Sequence, residues 1–336
     1  MVSTVMIQHL LRPEALPDYT EKVKLIQTHI SFVIVADQFV YKIKKPVDFG
    51  FLDFSTLEKR KFYCQREIDL NRRFSEGLYL DVLPVLFHGN THWIGKGKGQ
   101  VTDYAVKMRR LSDDILMKSL FDRNELKDGH LEAIAEAIAG FHRKAERSDE
   151  IDRFGNPDVF KFTTDENFDQ TEKYIGITIG ENDFKCIRKW TDSYFNQNAT
   201  LFHKRIKSGR IRDCHGDLHM EHICLTKPVS MFDCIEFNDR LRYTDTLADI
   251  GFLLMDLEYR GGEKLSEKLW KSYSDITGDG NMASLLTFYK VYRAYVRGKV
   301  NSFQMDDEQI GHEEKSEAKR IATKYFQLAL GYIMGV

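Results

Sequence analysis

The chain has 336 residues, of which 42% are hydrophobic, enough to bury a core in one large domain or two smaller ones. Its 49 lysines and arginines nearly balance 51 acids, and the net charge of -2 gives no overall field that favours nucleic acid or an anionic membrane. The first residues lack the basic start and apolar core of a signal peptide, and no apolar run reaches about 18 residues. The composition therefore favours a cytoplasmic globular protein that binds neither nucleic acid nor membrane.

The cysteines form no C-x-x-C pair, which argues against a disulfide framework or a zinc ribbon. They are Cys64, Cys186, Cys214, Cys224 and Cys234. Their neighbours are mostly apolar, so we predict reduced, buried thiols.

After a short amphipathic helix over residues 5–16, the stretch FVIVADQFVYKIKKP has two apolar runs around a short polar break at residues 36–38. This pattern predicts a β-hairpin. Alternation along the second strand puts Val40, Lys42 and Lys44 on one face, and residues 39, 41 and 43 on the other. Lys42 would then be flanked by apolar sheet, with a solvated edge lysine as the alternative.

Ser55 and Glu58 form an S-x-x-E capping box, which predicts a helix from there to about Phe74. Spacings of four, three and four residues place Glu67 in a stripe that also contains Tyr63, Leu70 and Phe74. A carboxylate on a buried face needs a cation, and Lys42 is the candidate. Local pairing remains the alternative, and its possible partners are Arg60, Lys61 and Arg66.

Three more strand-like runs follow and predict an antiparallel sheet of about five strands. Beyond Ser112 helical periodicity dominates, apart from residues 151–180, which are predicted to be loop-rich because they contain Gly155, Pro157, Gly176 and Gly180. We expect helices over residues 181–207, 245–260, 263–276, 282–303 and 312–334. The predicted fold is therefore α+β, with residues 1–111 as a small sheet lobe and residues 112–336 as a larger, mainly helical lobe.

The densest group of titratable residues lies in RDCHGDLHMEHICL, residues 212–225, just before the strand-like run MFDCIEFND. Within eight positions the first stretch contains His215, Asp217, His219, Glu221 and His222. Such a cluster is costly to fold and usually marks a functional site. A cleft between two lobes is a common place for a ligand. A strand lysine, a helix glutamate and an aspartate are the groups that phosphoryl transfer from ATP requires.

The string HGDLHMEH resembles the H-G-D-x-x-x-x-N catalytic loop of the aminoglycoside phosphotransferase-like kinases, a branch of the protein-kinase-like fold. IEFND resembles the I-D-x-x segment of that family, and FVYKIKK resembles its lysine strand. Together with THISFV, VYKIKKPVDFGFLDFSTLEKR, VKMRR and RDCHGDLH, these segments make the chain similar to a bacterial subgroup of the family over roughly residues 25–300.

The resemblance implies an enzyme that uses ATP and magnesium to phosphorylate a hydroxyl group of a small molecule. Asp217 would align the acceptor hydroxyl or accept its proton, and His215 would brace the loop. Lys42 would contact the ATP phosphates and Glu67 would hold it. Backbone groups around Met108, Arg109 and Leu111 would bind adenine. Protein kinases cover the phosphates with a glycine-rich turn, but residues 28–38 contain no glycine, so Thr28, Ser31 and backbone amides remain for that role.

Two positions depart from the family pattern. His222 stands where an asparagine metal ligand is expected, and Glu236 stands where an aspartate is expected. Magnesium prefers oxygen ligands in octahedral geometry, and imidazole suits zinc or manganese better. Asp233 is an alternative ligand, but strand alternation would put it on the face opposite Glu236. A zinc site is a weaker alternative, and its candidate ligands are Cys214, His215, His219 and His222.

Two other functions remain open. A pseudokinase would keep the fold without transfer, and the same fold could transfer a nucleotide instead of a phosphoryl group. For the acceptor, the acids Asp256, Glu258, Glu263 and Glu267 alternate with basic residues like an ordinary solvated face. The basic residues Lys290, Arg293, Arg297 and Lys299 would line a pocket for an anionic acceptor, or pack among tyrosines. Asp245 and Asp249 are predicted to satisfy backbone donors at a helix start.

Overall fold

The structure is a computed structural model that describes residues 2–307 and 310–335, apart from the side chains of residues 2 and 3. Its first elements are α1 Val2–Leu10, β1 Lys24–Gln27, β2 Ser31–Val35, β3 Phe39–Lys44, α2 Leu57–Asn71, β4 Tyr79–His88, β5 Thr91–Ile94 and β6 Gln100–Arg109. Helices follow, namely α3 Met117–Asp122, α4 Asp128–Lys144, α5 Asp149–Arg153, α6 Pro157–Thr171 and α7 Glu181–Lys207. Short strands then alternate with loops as β7 Ile211–Asp213, β8 Ile223–Cys224, β9 Ser230–Met231 and β10 Tyr243–Asp245. The last helices are α8 Thr246–Tyr259, α9 Glu263–Thr277, α10 Ala283–Ser302 and α11 His312–Met334.

Backbone contacts divide the chain into two compact units. The first, called the sheet unit below, comprises Met1–Glu125 and Glu221–Asp239. The second, the helical unit, comprises Leu126–Met220 and Arg240–Val336. The α+β class predicted from the sequence is confirmed. The division at residue 111 assigns nucleotide binding and catalysis to separate lobes, and it stays a prediction.

The main sheet has six antiparallel strands in the order β1-β2-β3-β6-β4-β5, one more than predicted. The predicted hairpin is confirmed, since β2 pairs with β3 and places Val33 opposite Lys42 and Ser31 opposite Lys44. Tyr41 and Ile43 point to the other face, where they are fully buried in a core that includes α1. The alternation of β3 thus leaves both lysines on one face.

The start of α1 differs little from the prediction, but the helix ends at Leu10 instead of continuing to residue 16. Only a short 3-10 turn follows, over Pro13–Ala15. Proline lacks the amide hydrogen that an α-helix needs and clashes with the preceding turn, so it accounts for the early end.

Helix α2 covers the lysine-bearing face of the sheet. Its buried side chains are Arg60, Cys64, Glu67, Ile68 and Asn71. The predicted cap is wrong by one residue, because Thr56 accepts the amide of Lys59 at 3.3 Å while Ser55 bonds to Asp53. The helix also ends at Asn71, before Phe74.

We expect Thr56→Ala to lower the free energy of unfolding by about 1 kcal/mol, because the substitution removes the oxygen that accepts an otherwise unpaired amide of the first turn. Urea denaturation followed by circular dichroism measures the change. Ser55→Ala is the matched control and should cost less. A larger loss for Ser55→Ala would show that the cap lies at Ser55 after all.

The stretch over residues 151–180 is mainly helical, so its prediction as loop is wrong. Helix α6 occupies Pro157–Thr171, and Asn156 caps it by accepting the amide of Asp158. Pro157 is the first helical residue, where a missing amide hydrogen costs nothing. The proline that suggested a loop therefore starts a helix. The helices predicted from residue 181 onward are confirmed within a few residues.

Each unit has its own apolar core. In the helical unit, aromatic and aliphatic residues of α6, α7, α8, α10 and α11 pack together, among them Phe168, Phe252 and Phe326. All five cysteines are free, and four are buried, but Cys186 is exposed and corrects the prediction for that residue. Among the described residues no helix combines the length and the apolar character that crossing a bilayer requires.

Candidate functional site

The pair predicted in the sheet unit is present. Lys42 Nζ donates to Glu67 Oε1 at 2.9 Å, and the Glu67 side chain is fully buried. Two of the local alternatives pair with other acids, Arg60 with Asp103 and Arg66 with Asp239, and Lys61 lies over the ring of Tyr104. A strand lysine on one face and a helix glutamate packed on that face are sufficient to bring the two groups together.

Sequence reasoning missed a second lysine at this site. Lys44 Nζ contacts Glu67 Oε2 at 2.7 Å and also bonds to Glu236. All three side chains are almost completely buried. Two lysines at positions i and i+2 of one strand share a face, so the signal was present in the alternation, but only Lys42 matched the family pattern.

The charges of this cluster shift one another's protonation. Burial would lower the pKa of Lys42, but Asp233 and Glu67 outweigh burial and hold that pKa well above its ordinary value. Burial would likewise raise the pKa of Glu67, yet Lys42 and Lys44 hold it below the ordinary value. Glu236 has a pKa above the ordinary value of a glutamate, because burial outweighs its contact with Lys44. Lys42 and Lys44 therefore stay protonated.

The segment after β9 places two carboxylates at the lysines, which corrects the predicted alternation. The strand ends at Met231, and Asp233 has a left-handed φ of 62°. Asp233 donates its amide to Tyr79 Oη at 3.0 Å, and Cys234 donates its amide to Asn71 Oδ1 at 3.0 Å. Because the chain is not extended here, Asp233 bonds to Lys42 while Glu236 bonds to Lys44.

Asp233 and Glu236 differ in access. The Asp233 side chain is 39% exposed, and its Oδ2 lies 3.7 Å from His222 Nε2. The Glu236 side chain is only 4% exposed and is held by Lys44. Of the two carboxylates, Asp233 is the one that a ligand can reach, although the sequence favoured Glu236.

In the helical unit, the loop that carries Asp217 is fixed by buried charged groups. Gly216 has a φ of 84°, a left-handed conformation that glycine adopts without strain. Asp249 accepts the amides of His215 at 2.7 Å and Gly216 at 2.9 Å, and Arg293 Nη1 donates to Gly216 O at 2.8 Å. Asp249 thus binds this loop, whereas the sequence predicted that it would satisfy backbone donors at the start of its own helix.

The charge state of Asp249 fits this role. Burial would raise its pKa, but a hydrogen bond from His142 and nearby positive charges lower it to about 2. An ionised carboxylate accepts two amides more strongly than a neutral one would. The loop conformation is therefore preorganised by a permanent negative charge.

Asp217 itself is partly accessible, with 34% of its side chain exposed. Its amide donates to His215 Nδ1 at 3.3 Å, and His219 Nε2 lies 3.5 Å from its Oδ2. His215 is fully buried, as expected of a residue that braces the loop. The unit thus holds one carboxylate at the surface of a rigid loop.

Known structures share this architecture. The GDP complex of wild-type aminoglycoside 2'-phosphotransferase-IIIa aligns over 97% of this chain and 97% of its own, at 13% sequence identity and a TM-score of 0.52. The chain has the protein-kinase-like fold of the aminoglycoside phosphotransferases. The resemblance predicted from the sequence is thereby confirmed for the fold. The choline kinase LicA from Streptococcus pneumoniae aligns over 92% of this chain at a TM-score of 0.47, which is too low to add to this assignment.

Sequence comparison gives relatives that are longer than the chain. The uncharacterized proteins Rv2004c of Mycobacterium tuberculosis and Mb2027c of Mycobacterium bovis are each 34% identical over 307 residues. The match covers 90% of this chain and 59% of each relative. No protein-family model matches the chain.

Within this phosphotransferase fold, the predicted phosphate-binding residues form the turn between β1 and β2. Thr28 Oγ1 accepts the amide of Ser31 at 3.0 Å, so its hydroxyl closes the turn. The Ser31 hydroxyl is buried and makes no hydrogen bond within residues 2–307 and 310–335. It lies opposite Lys44 on the lysine-bearing face. Its role toward a nucleotide stays a prediction.

The predicted adenine-binding stretch follows β6. Met108 and Leu111 pack with Phe232 against an apolar cluster that contains Tyr79. The amide of Arg109 donates to Leu78 O at 2.9 Å, so a bound base would need other backbone groups of this stretch. The apolar side chains are suitable for an aromatic ring.

Several charged residues of the helical unit differ from their predictions. Asp256 is buried and Glu258 pairs with Lys290 at 2.8 Å, so these two acids are not part of a solvated face. Asp245 caps α8 as predicted and also pairs with Arg205. Lys299 donates to two amide oxygens, and burial lowers its pKa to about 8.

Two of the ligands proposed for zinc belong to different groups within the helical unit, since His219 lies with Asp217 and Cys214 does not. Cys214 lies with His142 and Asp249, and their candidate ligand atoms are within 4.8 Å of one another. His142 Nδ1 bonds to Tyr273, and Asp249 is already committed to two amides. This arrangement serves the loop and gives no support to a tetrahedral metal site.

Proposed function

We propose that the chain transfers the terminal phosphoryl group of ATP to a hydroxyl group of a small molecule. The observation that carries the proposal is the preorganised loop in which Asp249 and Arg293 hold the backbone beside a partly exposed Asp217. Phosphoryl transfer needs positioned charges more than covalent chemistry, and a rigid carboxylate meets that need.

In the proposed step, the acceptor oxygen attacks the terminal phosphorus atom while the bond from that atom to the bridging oxygen of ADP breaks. The acceptor proton passes to the Asp217 carboxylate, and ADP leaves with the bond electrons. Lys42 neutralises phosphate oxygens, and Glu67 keeps its ammonium group in place. In the structure Lys42 also bonds to Asp233, so phosphate would replace that carboxylate.

Within the sheet unit, the oxygens of Asp233 and the imidazole of His222 are donors available for a divalent cation. Carboxylate oxygens suit magnesium, whereas imidazole suits manganese better. A bound cation would neutralise phosphate charge. Asp233 is better placed than Glu236 for this role, because its side chain is exposed and Glu236 is buried against Lys44. Glu236 as a ligand stays a prediction.

A thermal-shift measurement with ATP, magnesium, manganese and zinc tests the proposal. We expect ATP with magnesium or manganese to raise the Tm by several degrees, because a ligand that binds only the folded state stabilises it. ATP alone, or magnesium or manganese alone, should raise the Tm only slightly. Zinc acting alone would instead favour the zinc alternative.

Transfer is then tested with ATP labelled in the terminal or the α-phosphate. Label from the terminal phosphate in the product supports a kinase, and label from the α-phosphate shows nucleotidyl transfer. Binding of ATP with cation but no transfer to any hydroxylated compound would leave the pseudokinase. No stabilisation by any nucleotide would contradict the proposal.

A further inference from the structure

Two arginines of α10 lie one helical turn apart beside the Asp217 loop. Arg293 is buried and donates to Gly216 O at 2.8 Å. Residues at i and i+4 lie on the same side of a helix, so Arg297 extends the same face of α10. This face is the one that contacts the residue before Asp217.

The two arginines are used differently. Arg293 donates to two carbonyl oxygens, those of Gly216 and Ala248. Arg297 lies over the ring of Tyr325, with 5.5 Å from its guanidinium carbon to the ring centroid. Across the ranges that the structure describes, no acid pairs with Arg297 within 4.0 Å.

The surroundings of Arg297 are aromatic and positively charged. Tyr325 stacks on Tyr259 with centroids 3.8 Å apart and an angle of 11° between the rings. Lys324 Nζ lies 4.2 Å from the centroid of Tyr259, and Arg260 follows Tyr259 directly in the chain. A half-buried guanidinium here is only partly hydrated, so an anion would gain more from it than from a surface arginine.

Asp256 connects the basic residues around Tyr259 to the Asp217 loop. Asp256 accepts the amide of Met220 at 3.1 Å and the Nε proton of Arg260 at 3.2 Å. The loop of residues 215–220 is therefore held at Gly216 by Arg293 and at Met220 by Asp256. The first contact comes from α10, which also carries Arg297, and the second comes from α8, which Arg260 follows directly.

The acids near Arg297 form their ion pairs with other basic residues, although the charges of Asp217 and Asp256 still act on the guanidinium. Asp256 pairs with Arg260, Glu258 pairs with Lys290, and Glu317 pairs with Arg320. Burial would lower the pKa of Arg297, but Tyr325 and the charge of Asp217 outweigh it and raise that pKa. The guanidinium thus stays charged, within electrostatic reach of Asp217.

We propose that Arg297 binds an anionic group, a carboxylate or a phosphate, on the molecule whose hydroxyl group is phosphorylated. The inference rests on the proposed function, because Asp217 marks the reacting end of the acceptor. A guanidinium offers paired donors that match the oxygens of either anion. A cationic acceptor would be repelled by Arg297, so the acceptor class differs from the aminoglycosides named for the structural neighbour.

Isothermal titration with three anionic probes tests this inference. The probes are inorganic phosphate, glycerate and glycerol 3-phosphate, with glycerol and choline as neutral and cationic counterparts. Wild-type protein should bind at least one anion, and Arg297→Ala should weaken that binding about tenfold or more, the factor that corresponds to one charge-assisted hydrogen bond. Arg297→Lys keeps the charge and should lose only a few fold.

Arg188→Ala is the matched control, because Arg188 is a partly exposed arginine of the same unit, on α7, paired with Glu172. It should bind the anions like the wild type. Circular dichroism and the Tm of each variant establish that it is folded. Absence of anion binding in the wild type, or equal binding in Arg297→Ala and wild type, overturns the inference.

The inference and the proposed function can fail separately. Anion binding that depends on Arg297, in a protein that never transfers phosphate, would sustain the anion site and refute the kinase. Phosphoryl transfer to glycerol or choline with no preference for an anionic acceptor would support the kinase and refute the anion site. Phosphate and glycerol 3-phosphate share the oxyanion with glycerate, so their relative affinities show which anion is preferred.

Discussion

Replacing Asp217 with asparagine should lower the kcat of phosphoryl transfer by about 100- to 10,000-fold, the usual contribution of a positioned base. Affinity for ATP should stay within a few fold, because the residue acts on the acceptor. The amide is the same size as the carboxylate, so the loop held by Asp249 and Arg293 should keep its conformation. Steady-state kinetics and nucleotide titration on the same preparation measure both effects.

Asp165→Asn is a suitable control for this prediction. Asp165 lies in the same unit, its side chain is 36% exposed, close to the 34% of Asp217, and its partner is Lys161. The control should retain normal turnover. If Asp217→Asn were as active as Asp165→Asn, the catalytic assignment would be wrong.

Replacing Lys44 with methionine should lower the free energy of unfolding by about 3–5 kcal/mol, the usual cost of leaving a buried ionic partner unpaired. Glu67 would retain Lys42, but Glu236, whose side chain is only 4% exposed, would lose the lysine that bonds to it. Urea denaturation at pH 7 measures the change. Lys59→Met removes an exposed ion pair with Asp53 and should cost much less.

The same variant has an expected pH dependence. The pKa of Glu236 is already raised by burial, and loss of Lys44 raises it further. A folded-state pKa above the unfolded value means that the folded protein takes up the proton first, so stability increases as the pH falls. The cost of Lys44→Met should therefore be smaller at pH 5 than at pH 7. An equal cost at both pH values would show that Glu236 does not control the loss.

Lys42→Met tests which lysine of the cluster binds the ATP phosphates, independently of its effect on stability. It should impair ATP binding more than Lys44→Met when both are compared well below their Tm values. A larger binding defect for Lys44→Met would transfer the phosphate-binding role to Lys44.

The sequence was sufficient wherever a local rule decided the outcome. Strand alternation placed Lys42 and Lys44 on one face, and helical spacing placed Glu67 toward the same face. Composition and periodicity likewise predicted a sheet followed by helices. These features depend on neighbours within one element.

Other features depended on the backbone between elements. Asp233 reaches Lys42 because its φ is left-handed, and alternation cannot anticipate a residue outside a strand. Pro157 was interpreted as a loop residue, although it is the first residue of α6. Its place in a helix becomes clear only together with the cap that the Asn156 side chain provides. The role of Asp249 depends on a loop more than 30 residues earlier in the chain.

The ion cluster of the sheet unit has an uneven charge balance. Lys42 and Lys44 supply two positive charges, while Glu67, Asp233 and Glu236 supply three negative charges when all are ionised. The excess of one negative charge opposes any anion that approaches Lys42 alone. A nucleotide and a cation that arrive together avoid this repulsion, because the cation can take the carboxylate that the phosphate displaces. Each would then raise the affinity for the other by the same factor, as linkage requires.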